Sequence, residues 1–485
     1  MPRFELFAPD EVERIVADAL TVLATVGVDV ENAEAADLLR SAGIHERDER
    51  FFPPEDAVRA ALATAPRRFA LYDRAGAPAV CYGEGRVHFD PGSAAIHLLD
   101  GESGERRPAT TPDLAALSRL VDALPGYAAQ STALVPSDVP EALADRWRLY
   151  LALTYCRKPV VTGTFRKDGF APMRALLAAV RGGERELAER PLAILDCCPT
   201  SPLKWSDLTA QALLDAARAG IPLQTVPVPM TGATAPVALR EAVVQHLAEG
   251  LSGLLLAQLA RAGAAVVLGG APAAFDMRHG SAAMGAIESA MLNAGHAQVA
   301  RHLGLPCHGY LGLSDSKCAD YQAGMESCSC ALLGALAGID LVSGPGLLDY
   351  LLTLSFEKLL LDHEACAAAL RLARGIAIGG ESGIHLIGEA VRLGQLLGHA
   401  HTRRHYREEV ALASRLIDRQ SFGDWSAEGA KDAARRARDE VRRLLAVATP
   451  PPLADDIRRE LEAIMAAEAA RCGLDRLPEL SPPRR

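Results

Sequence analysis

Residues 223–268 of the chain read LQTVPVPMTGATAPVALREAVVQHLAEGLSGLLLAQLARAGAAVVL. An apolar run over residues 223–229 is followed by a helical pattern over residues 237–260 and by a second apolar run over residues 264–268. Near-continuous apolar strands on either side of a helix are typical of parallel strands that are covered on both faces. The stretch therefore predicts one βαβ unit of a parallel sheet.

The same alternation recurs along most of the chain. Further strand-like runs cover residues 130–135, 159–164, 192–197, 306–311 and 340–343. We expect the eighth strand near Ile376 or Ile384. Strands and helices that alternate in this way favour a closed TIM (β/α)8 barrel over an open sheet. The predicted fold class is therefore α/β.

Two flanking regions differ from the predicted barrel domain, which spans residues 106–424. Residues 1–105 combine helical patterns with short strand-like runs, such as residues 69–72 and 87–89, and predict an N-terminal α/β cap. Residues 425–485 predict C-terminal charged helices, at residues 430–447 and 453–471, and a tail. Such charge is typical of a solvated helix face.

The composition of the 485-residue chain excludes several classes of protein. Its formal net charge of −10 argues against a nucleic-acid partner. The first residues lack the pattern of a secretory signal, and no run reaches the roughly 18 apolar residues of a membrane span. The ten cysteines lack the spacing of a secreted disulfide framework. We therefore predict a soluble cytoplasmic protein with reduced thiols, which forms a homo-oligomer and has no membrane partner.

The segment at residues 312–326, GLSDSKCADYQAGME, is the densest polar stretch of the chain and follows a predicted strand. Ser314, Asp315 and Ser316 can cap the helix that comes next. Capping does not require the four further polar side chains of the segment, Lys317, Asp320, Gln322 and Glu326. The segment therefore favours a polar network around a ligand, at the end of a barrel strand where catalytic residues lie.

Glu249 is a second candidate, because it lies in an otherwise apolar stretch. Residues 222–272 carry four charged side chains, and Glu249 shares a helix face with Gln245 and His246. A carboxylate in apolar surroundings needs a partner or a purpose. Glu249 is therefore either catalytic or a structural acceptor for backbone amides or for His246.

Four predicted strand-end loops are small and nearly uncharged, at residues 200–203, 229–236, 269–272 and 344–346. Small residues let a flat ligand or a partner protein approach the backbone, although ordinary tight turns have the same composition. The chain contains no His-Glu-x-x-His, Cys-x-x-Cys, P-loop or Gly-x-Ser-x-Gly motif. We therefore predict no tightly bound metal or organic cofactor.

Together these motifs resemble those of the trimethylamine methyltransferase family. Residues 312–326 resemble the family's signature loop, and the similarity extends to residues 229–236, 245–249, 269–278, 355–364 and 401–405. In this order the motifs cover roughly residues 20–430. The resemblance implies a TIM barrel that transfers a methyl group from an amine to the Co(I) corrinoid (cobalamin) of a small partner protein.

One departure from the family pattern bears on the substrate. Archaeal trimethylamine enzymes of the family carry pyrrolysine in the signature loop, whereas this chain has Leu313 beside Ser314 and only standard residues. Members without pyrrolysine include glycine betaine methyltransferases. The resemblance therefore implies a methyltransferase that demethylates a quaternary, betaine-like amine. The alternatives are a methyltransferase with another acceptor, such as tetrahydrofolate, and a non-catalytic betaine-binding or regulatory protein.

The resemblance and the residue types together assign roles at the barrel mouth. The predicted catalytic residues, expected around one pocket, are Asp315, Lys317 and Glu249. The predicted substrate-binding residues are Tyr310, Gln322, Asp349, Tyr350, Phe275 and His97. The loop residues predicted to face the corrinoid are Met230, Thr231, Gly232, Gly269, Gly270, Gly312, Leu313 and Ser314. Lys317 is expected to hold a betaine carboxylate, or else to form an ion pair with Asp320 or Glu326.

Overall fold

Eight short parallel strands form the centre of the computed structural model, which describes residues 2–376, 383–410, 414–450 and 452–478. The strands are His88–Asp90, Gln130–Ser131, Val160–Thr162, Ala193–Cys197, Leu223–Thr225, Val266–Leu268, His308–Tyr310 and Leu341–Ser343. The second to the sixth pair in chain order in one sheet. The last two pair with each other in another sheet, in which the last strand also pairs with the first.

Main-chain hydrogen bonds connect these two sheets at both of their edges. The amide of Leu268 donates to the carbonyl of Pro306 at 3.0 Å. At the other edge, the amide of Ala128 donates to the carbonyl of Phe89 at 2.9 Å. The chain therefore has an α/β fold in which parallel strands alternate with helices.

His88–Asp90, the first central strand along the chain, pairs with the last one, Leu341–Ser343. The prediction that placed the eighth strand near Ile376 or Ile384 is wrong at both of these residues, since neither lies in a strand. Ile376 follows the end of a helix and Ile384 begins another, while residues 377–382 lie outside the described residues. A strand of three residues is defined by its neighbours more than by its own apolar pattern. The predicted domain boundary at residue 105 stays a prediction, although this strand of the central sheets precedes it.

Helices cover the outer faces of the strands. They are Thr111–Ala123, Glu141–Tyr155, Phe170–Arg181, Glu184–Glu189, Asp207–Ala219, Leu239–Ala260, Ile287–His302, Tyr321–Ala337 and Phe356–Arg374. The main core lies between these helices and the strands. A second, smaller core lies inside the strands and includes Val161, Ile194, Val267 and Leu341. The strands thus bury both faces, as their near-continuous apolar sequence predicts.

The N-terminal residues pack against the amino ends of the strands and against the outer helices. The hairpin Phe69–Tyr72 and Pro78–Tyr82 contributes Leu71 and Val80 to the inner core. The remaining N-terminal helices are Pro9–Thr25, Ala33–Ser41 and Glu55–Thr64. One mixed sheet contains Val28–Val30, His45–Arg47, Arg50–Phe52 and Lys204–Trp205. The region thus contains both helices and strands, and its role as a separate cap stays a prediction.

Two small sheets follow the carboxyl ends of the central strands. One contains Met230–Thr231, Ala273–Asp276 and Ser281–Ala283. The other contains His97–Leu99, Arg106–Pro108, Leu347–Leu348 and Thr353–Leu354. These sheets therefore build the end of the fold where the predicted site residues lie.

The C-terminal region is helical. Its helices are Ile384–Leu393, Ala400–Glu409, Phe422–Ala427, Ala433–Val447 and Asp455–Arg471. The last two overlap the predicted charged helices, and each also buries an apolar stripe, including Val441 and Met465. Within the described ranges, no helix combines the length and the apolar character that a membrane crossing needs.

Candidate active site

Four of the predicted site residues line one cavity at the carboxyl ends of the strands. Asp315, Lys317, Gln322 and Tyr350 surround a cavity of about 360 Å³, which we call the loop pocket. Its other polar lining side chains are Asp276, Arg278, His279, Ser281, Ser316 and Glu326. The polar segment at residues 312–326 therefore does face a cavity, as its excess of polar side chains over capping needs predicts.

Asp315 is the half-buried carboxyl group of the loop pocket. Its Oδ2 accepts a hydrogen bond from the Gly285 amide at 3.0 Å, while its buried Oδ1 has no partner among the described residues. Burial raises the pKa of Asp315 to about 6, and the nearby Glu326 carboxylate adds to the increase. Glu326 in turn accepts from the Asp315 amide at 2.9 Å. Asp315 can therefore exchange a proton, or accept from a ligand, near neutral pH.

Lys317 is held by its own loop and by a neighbouring turn. Its Nζ donates to the carbonyl of Asp315 at 2.7 Å and lies 3.9 Å from the ring centroid of Tyr350. It also lies 3.6 Å from Asp349 Oδ1. Burial lowers the pKa of Lys317, but Tyr350, Asp349 and Asp315 raise it by more. The carboxylate beside Lys317 is therefore Asp349, and not Asp320 or Glu326 as the alternative prediction had it.

The turn that carries Asp349 has an unusual backbone. Asp349, Tyr350 and Leu351 have φ values of 53°, 55° and 80°, in the left-handed region that favours glycine. Each residue in this conformation destabilises the fold by on the order of 1–3 kcal/mol, and the conformation persists only where surrounding contacts hold it. Here Asp349 pairs with Arg106 at 3.1 Å, and its amide donates to the carbonyl of Ser316 at 3.0 Å. This strain, placed beside the loop pocket, supports a functional role for the turn.

Glu249 does not line the loop pocket, and this part of the predicted pocket is wrong. It is fully buried and accepts from Ser201 Oγ at 2.7 Å, the Leu203 amide at 3.0 Å and Gln245 Nε2 at 2.9 Å. Burial raises the pKa of its carboxyl group. Glu249 therefore anchors the loop that follows the strand Ala193–Cys197, and its contacts match the structural alternative. It lies at the same end of the fold as Asp315, because both contact loops that follow central strands.

Most residues predicted to face a corrinoid are buried, namely Thr231, Gly269, Gly270, Gly312, Leu313 and Ser314. A Cβ atom on Gly270 would lie 1.8 Å from His246 Nε2, and one on Gly269 would lie 2.7 Å from the carbonyl oxygen of Thr225. These two glycines are therefore required for internal packing. The exposed Gly232 and the half-buried Met230 remain candidates for a corrinoid surface.

Besides Asp349, three predicted substrate-binding residues lie outside the lining of the loop pocket. His97 is in the strand His97–Leu99, where its amide donates to the carbonyl of Leu352 at 3.1 Å. Phe275 is half-buried in the strand Ala273–Asp276, whose last residue lines the pocket. Tyr310 is buried at the end of the strand His308–Tyr310. Of these three, Tyr310 belongs to a second polar cluster.

The second cluster lies on the side of the central strands that carries the smaller core, and we call it the interior cluster. Side chains alternate along a strand, so residues two apart point the same way. Ile194 and Leu341 belong to the inner core, and therefore Asp196 and Ser343 also point inward. Asp196 accepts a hydrogen bond from Gln224 Nε2, and Gln224 Oε1 is buried without a partner among the described residues.

A hydrogen-bonded chain completes the interior cluster. His308 Nε2 lies 2.9 Å from Ser343 Oγ, which donates to Asp90 Oδ1 at 2.5 Å. Burial raises the pKa of Asp90 well above its usual range and lowers that of His308 to about 3. Asp90 Oδ2 and His308 Nδ1 are buried without a partner in the described part of the chain. Such unsatisfied polar atoms are costly in an interior, so a water molecule or a ligand is needed to pair with them.

Asp196 differs from Asp90 because solvent reaches it. Asp196 is partly exposed, and Cys198, two residues further, is exposed. Protein atoms nevertheless surround both side chains. Burial raises the pKa of Asp196 to about 7, although the hydrogen bond from Gln224 and the charge of Arg148 partly oppose the increase. Burial raises the pKa of Tyr310, and the charges of Asp196 and Asp90 raise it further. A carboxyl group and an aromatic ring therefore lie near each other at the carboxyl ends of parallel strands, where α/β proteins bind ligands.

The sequence contained a signal for Asp196 that our sequence analysis did not use. Asp196 is the one charged residue in the strand-like run at residues 192–197, and it lies near the carboxyl end of that run. A charged side chain on a strand that is covered on both faces destabilises the fold unless it is paired and hydrogen-bonded. Such a residue is therefore a candidate for a functional role. Gln224 and His308 occupy comparable positions on two other strands.

Comparisons with known proteins identify the class of enzyme. A model of the family described as trimethylamine methyltransferase (MTTB) matches residues 1–473. The chain is 30% identical over 473 residues to trimethylamine methyltransferase MttB of Desulfitobacterium hafniense, covering 97% of this chain and 95% of that protein. It is 28% identical over 479 residues to glycine betaine methyltransferase of the same species, covering 98% and 99%. The chain therefore belongs to the trimethylamine methyltransferase family and is a methyltransferase, as its motifs predict.

A solved structure has the same fold. The monomethylamine methyltransferase MtmB of Methanosarcina barkeri aligns with a TM-score of 0.56 at 13% identity, covering 97% of this chain and 89% of that one. The hydroxylamine complex of MtmB gives a TM-score of 0.57 at 14% identity, covering 92% and 88%. At this identity the likeness concerns the fold alone. The predicted α/β class is confirmed.

Proposed function

We propose that the chain removes a methyl group from a quaternary amine and passes it to the Co(I) corrinoid of a partner protein. Family membership supports the reaction class. The observation that carries the choice of substrate is the solvent-accessible Asp196 beside Tyr310 in the interior cluster. We further infer that the eight parallel strands close into a (β/α)8 barrel that begins at His88. The hydrogen bonds at both sheet edges support this closure.

The chemistry of a quaternary ammonium group suits the interior cluster. Such a group keeps its positive charge at every pH and has no N–H to donate, so hydrogen-bond acceptors alone cannot hold it. A carboxylate and an aromatic face offset the loss of its hydration shell. Ionised Asp196 supplies the negative charge, and Tyr310 supplies the ring. The buried and neutral His308 adds no competing positive charge.

The reaction itself demands little proton transfer from the protein. A quaternary amine that loses a methyl group leaves as a neutral tertiary amine, so no general acid is required. When bound, the corrinoid supplies a Co(I) nucleophile for the methyl carbon. The residues of this chain hold the ammonium group in position and exclude water from it.

The surface near Gly232 supports the approach of a flat apolar ligand. Gly232 has a φ of 81°, and a Cβ atom there would lie 2.6 Å from the terminal methyl of Met277. Met277 and Val237 are both largely exposed. Exposed apolar side chains next to a bare backbone are typical of a docking surface for a large ligand or a protein. We therefore propose that a partner presents its corrinoid at this surface.

The loop pocket supports a betaine that is long enough to extend from Asp196 to Lys317 as the particular amine. A betaine also carries a carboxylate, which needs a hydrogen-bond donor. Lys317 lines the loop pocket as a half-exposed cation, and Asp349 is 3.6 Å away. We propose that the substrate carboxylate competes with Asp349 for the ammonium group of Lys317.

Replacement of Lys317 by methionine distinguishes the contribution of the substrate carboxylate to binding from that of the ammonium group. The affinity of Lys317→Met for a betaine should fall by about 1.5–3 kcal/mol, the range for hydrogen bonds to charged groups. Binding of tetramethylammonium, which has no carboxylate, should change little. Isothermal titration calorimetry with both ligands measures the difference. An equal loss for both would assign Lys317 to the structure of the loop and not to the carboxylate.

The pH dependence of cation binding should follow the ionisation of Asp196. Its pKa of about 7 lies above the usual value of a carboxyl group, so the proton is lost only as pH rises through that value. Tetramethylammonium should therefore bind most tightly well above pH 7 and up to about tenfold more weakly for each pH unit below it. Titration calorimetry across this range measures the midpoint. A midpoint near 6 would instead indicate Asp315, and no pH dependence would contradict both assignments.

The proposed reaction is tested with a panel of methylated amines and betaines and a reduced corrinoid protein. The absorbance of the corrinoid should change with at least one quaternary amine and not with its demethylated product. A parallel series with tetrahydrofolate tests the alternative acceptor. Transfer to the folate alone would overturn the corrinoid assignment, and binding without transfer to either acceptor would indicate a non-catalytic binding protein.

A further inference from the structure

Residues 384–409 form two helices that bury none of their own residues, and we call this segment the arm. It consists of the helices Ile384–Leu393 and Ala400–Glu409. Within the first helix Ile387 and Val391 are four residues apart and therefore lie on one face. They are 66% and 82% exposed, and Leu397, between the helices, is 85% exposed. Helices of this length gain most of their stability from packing an apolar face, and among the described residues of the chain nothing covers this face of the arm.

The chain also carries a large apolar groove beside the base of the arm, which we call the groove. It has a volume of about 1230 Å³. The helices Tyr321–Ala337 and Phe356–Arg374 line it with small or apolar side chains, including Gly324, Cys328, Leu361, Ala365, Ala368 and Leu372. Small-molecule pockets usually measure roughly 300–1,000 Å³. The groove is therefore large for a metabolite and suits the apolar face of a helix.

The charges of the arm and the groove are complementary. The second helix of the arm carries Arg403, Arg404 and Arg407, and none of them forms an ion pair with a described residue. At the groove, Asp320 and Asp432 accept hydrogen bonds as helix caps but pair with no cation in the described ranges. The remaining charged residues of the groove are Asp362, Glu364, Arg371 and Arg419. Unpaired arginines on one surface and unpaired carboxylates on the other favour contact between them.

The arm starts and ends at the groove of its own chain. Ile376, which precedes the arm, lines the groove. At the other end, Arg371 of the groove donates to the carbonyl of Glu409 at 2.9 Å. A two-fold axis next to this region would therefore bring each arm to the groove of the other chain, and the two contacts would form together. Since a typical stable interface buries about 1,600 Å² in total, each arm would need to supply about half of that area.

We propose that the arm packs into the groove of a second copy of this chain, reciprocally, to form a two-fold dimer. Ile387 and Val391 enter the groove over Cys328 and Ala368, and the arginines of the arm meet Asp320 and Asp432. The groove borders the segment at residues 312–326, whose other residues line the loop pocket. The inference is tested by cross-linking and by mass, which do not depend on methyl transfer, so its failure is distinguishable from failure of the proposed function.

Cross-linking tests which chain fills the groove. In a Val391→Cys variant, a short bis-maleimide should join the new thiol at position 391 of one chain to Cys328 of another and give a dimer band on denaturing gels. The band should disappear when Cys328→Ser is added. Val447→Cys, at a 63% exposed valine of another helix, is the matched control and should give no such band. A cross-link confined to one chain, or one that requires added corrinoid protein, would overturn the proposal.

The mass of the full chain in solution provides a second readout. Light scattering should show a dimer, or an even-numbered assembly, for the native chain. Ile387→Asp combined with Val391→Asp should halve that mass, because the charges cannot enter an apolar groove. Val447→Asp should leave the mass unchanged, and thermal unfolding should confirm that all variants fold. A native chain that is monomeric at micromolar concentration, or a double variant of unchanged mass, would contradict the dimer.

Discussion

Replacement of Asp196 by asparagine should weaken the binding of quaternary amines by about 100-fold and reduce methyl transfer at least as much. At roughly 5 Å and an effective dielectric constant of about 20, one pair of opposite charges is worth about 3 kcal/mol. Asparagine removes this charge but keeps the size of the side chain and an oxygen that accepts from Gln224. Calorimetry with tetramethylammonium and the corrinoid assay with the preferred amine measure the two effects.

Asp215→Asn is the matched control for this prediction. Asp215 is also a half-buried carboxyl group with a raised pKa that accepts from a glutamine, Gln211 Nε2 at 3.1 Å. It lies on the outer helix Asp207–Ala219, away from the interior cluster. Its replacement should leave binding and transfer unchanged. If Asp196→Asn binds the cation as tightly as the native chain does, the ammonium site lies elsewhere, and the loop pocket becomes the alternative.

Replacement of Lys358 by methionine should lower the free energy of unfolding by about 3–5 kcal/mol, the usual cost of leaving one partner of a buried ion pair. Lys358 is 2% exposed, and its Nζ donates to Asp362 Oδ2 at 2.5 Å and to Ser327 Oγ at 2.7 Å. The same carboxylate accepts from the Gly346 amide at 2.7 Å and so connects a strand-end loop to two helices. Burial raises the pKa of Asp362 even with the lysine present. Urea denaturation measures the loss.

A double variant distinguishes loss of charge balance from loss of packing. The double variant Lys358→Met with Asp362→Asn removes both charges of this buried pair. The side-chain amide oxygen at position 362 can still accept from the Gly346 amide, so the double variant should recover most of the stability. Lys204→Met is the control, because Lys204 forms an exposed ion pair with Glu31 at 2.5 Å and should contribute less than about 1 kcal/mol. A loss below about 1 kcal/mol for Lys358→Met, or a double variant as unstable as the single one, would contradict this account.

The sequence by itself determined the α/β class, the polar loop and the family. The apolar runs and helical patterns are local, so seven of the eight predicted strands contain or overlap the observed ones. The segment at residues 312–326 was identifiable because its polar side chains exceed what helix capping requires. Four of the residues predicted for the site, in that loop and in the turn at Tyr350, do meet at one cavity.

The tertiary structure alone decided which side chains point into the strands and which partners they meet. Because the central strands are covered on both faces, their sequence lacks the alternation that would separate inward from outward positions. Only the structure therefore shows that Asp196 points inward, on the same side as Ile194. Glu249 has the partners Ser201 and Leu203, which belong to a loop more than 40 residues away. The sequence around Glu249 does not show these partners, and it therefore predicts a catalytic role. His88–Asp90 became a central strand only through its pairing with Leu341–Ser343, about 250 residues later. In each case the deciding contact joins residues that are distant along the chain, and no local pattern encodes such a contact.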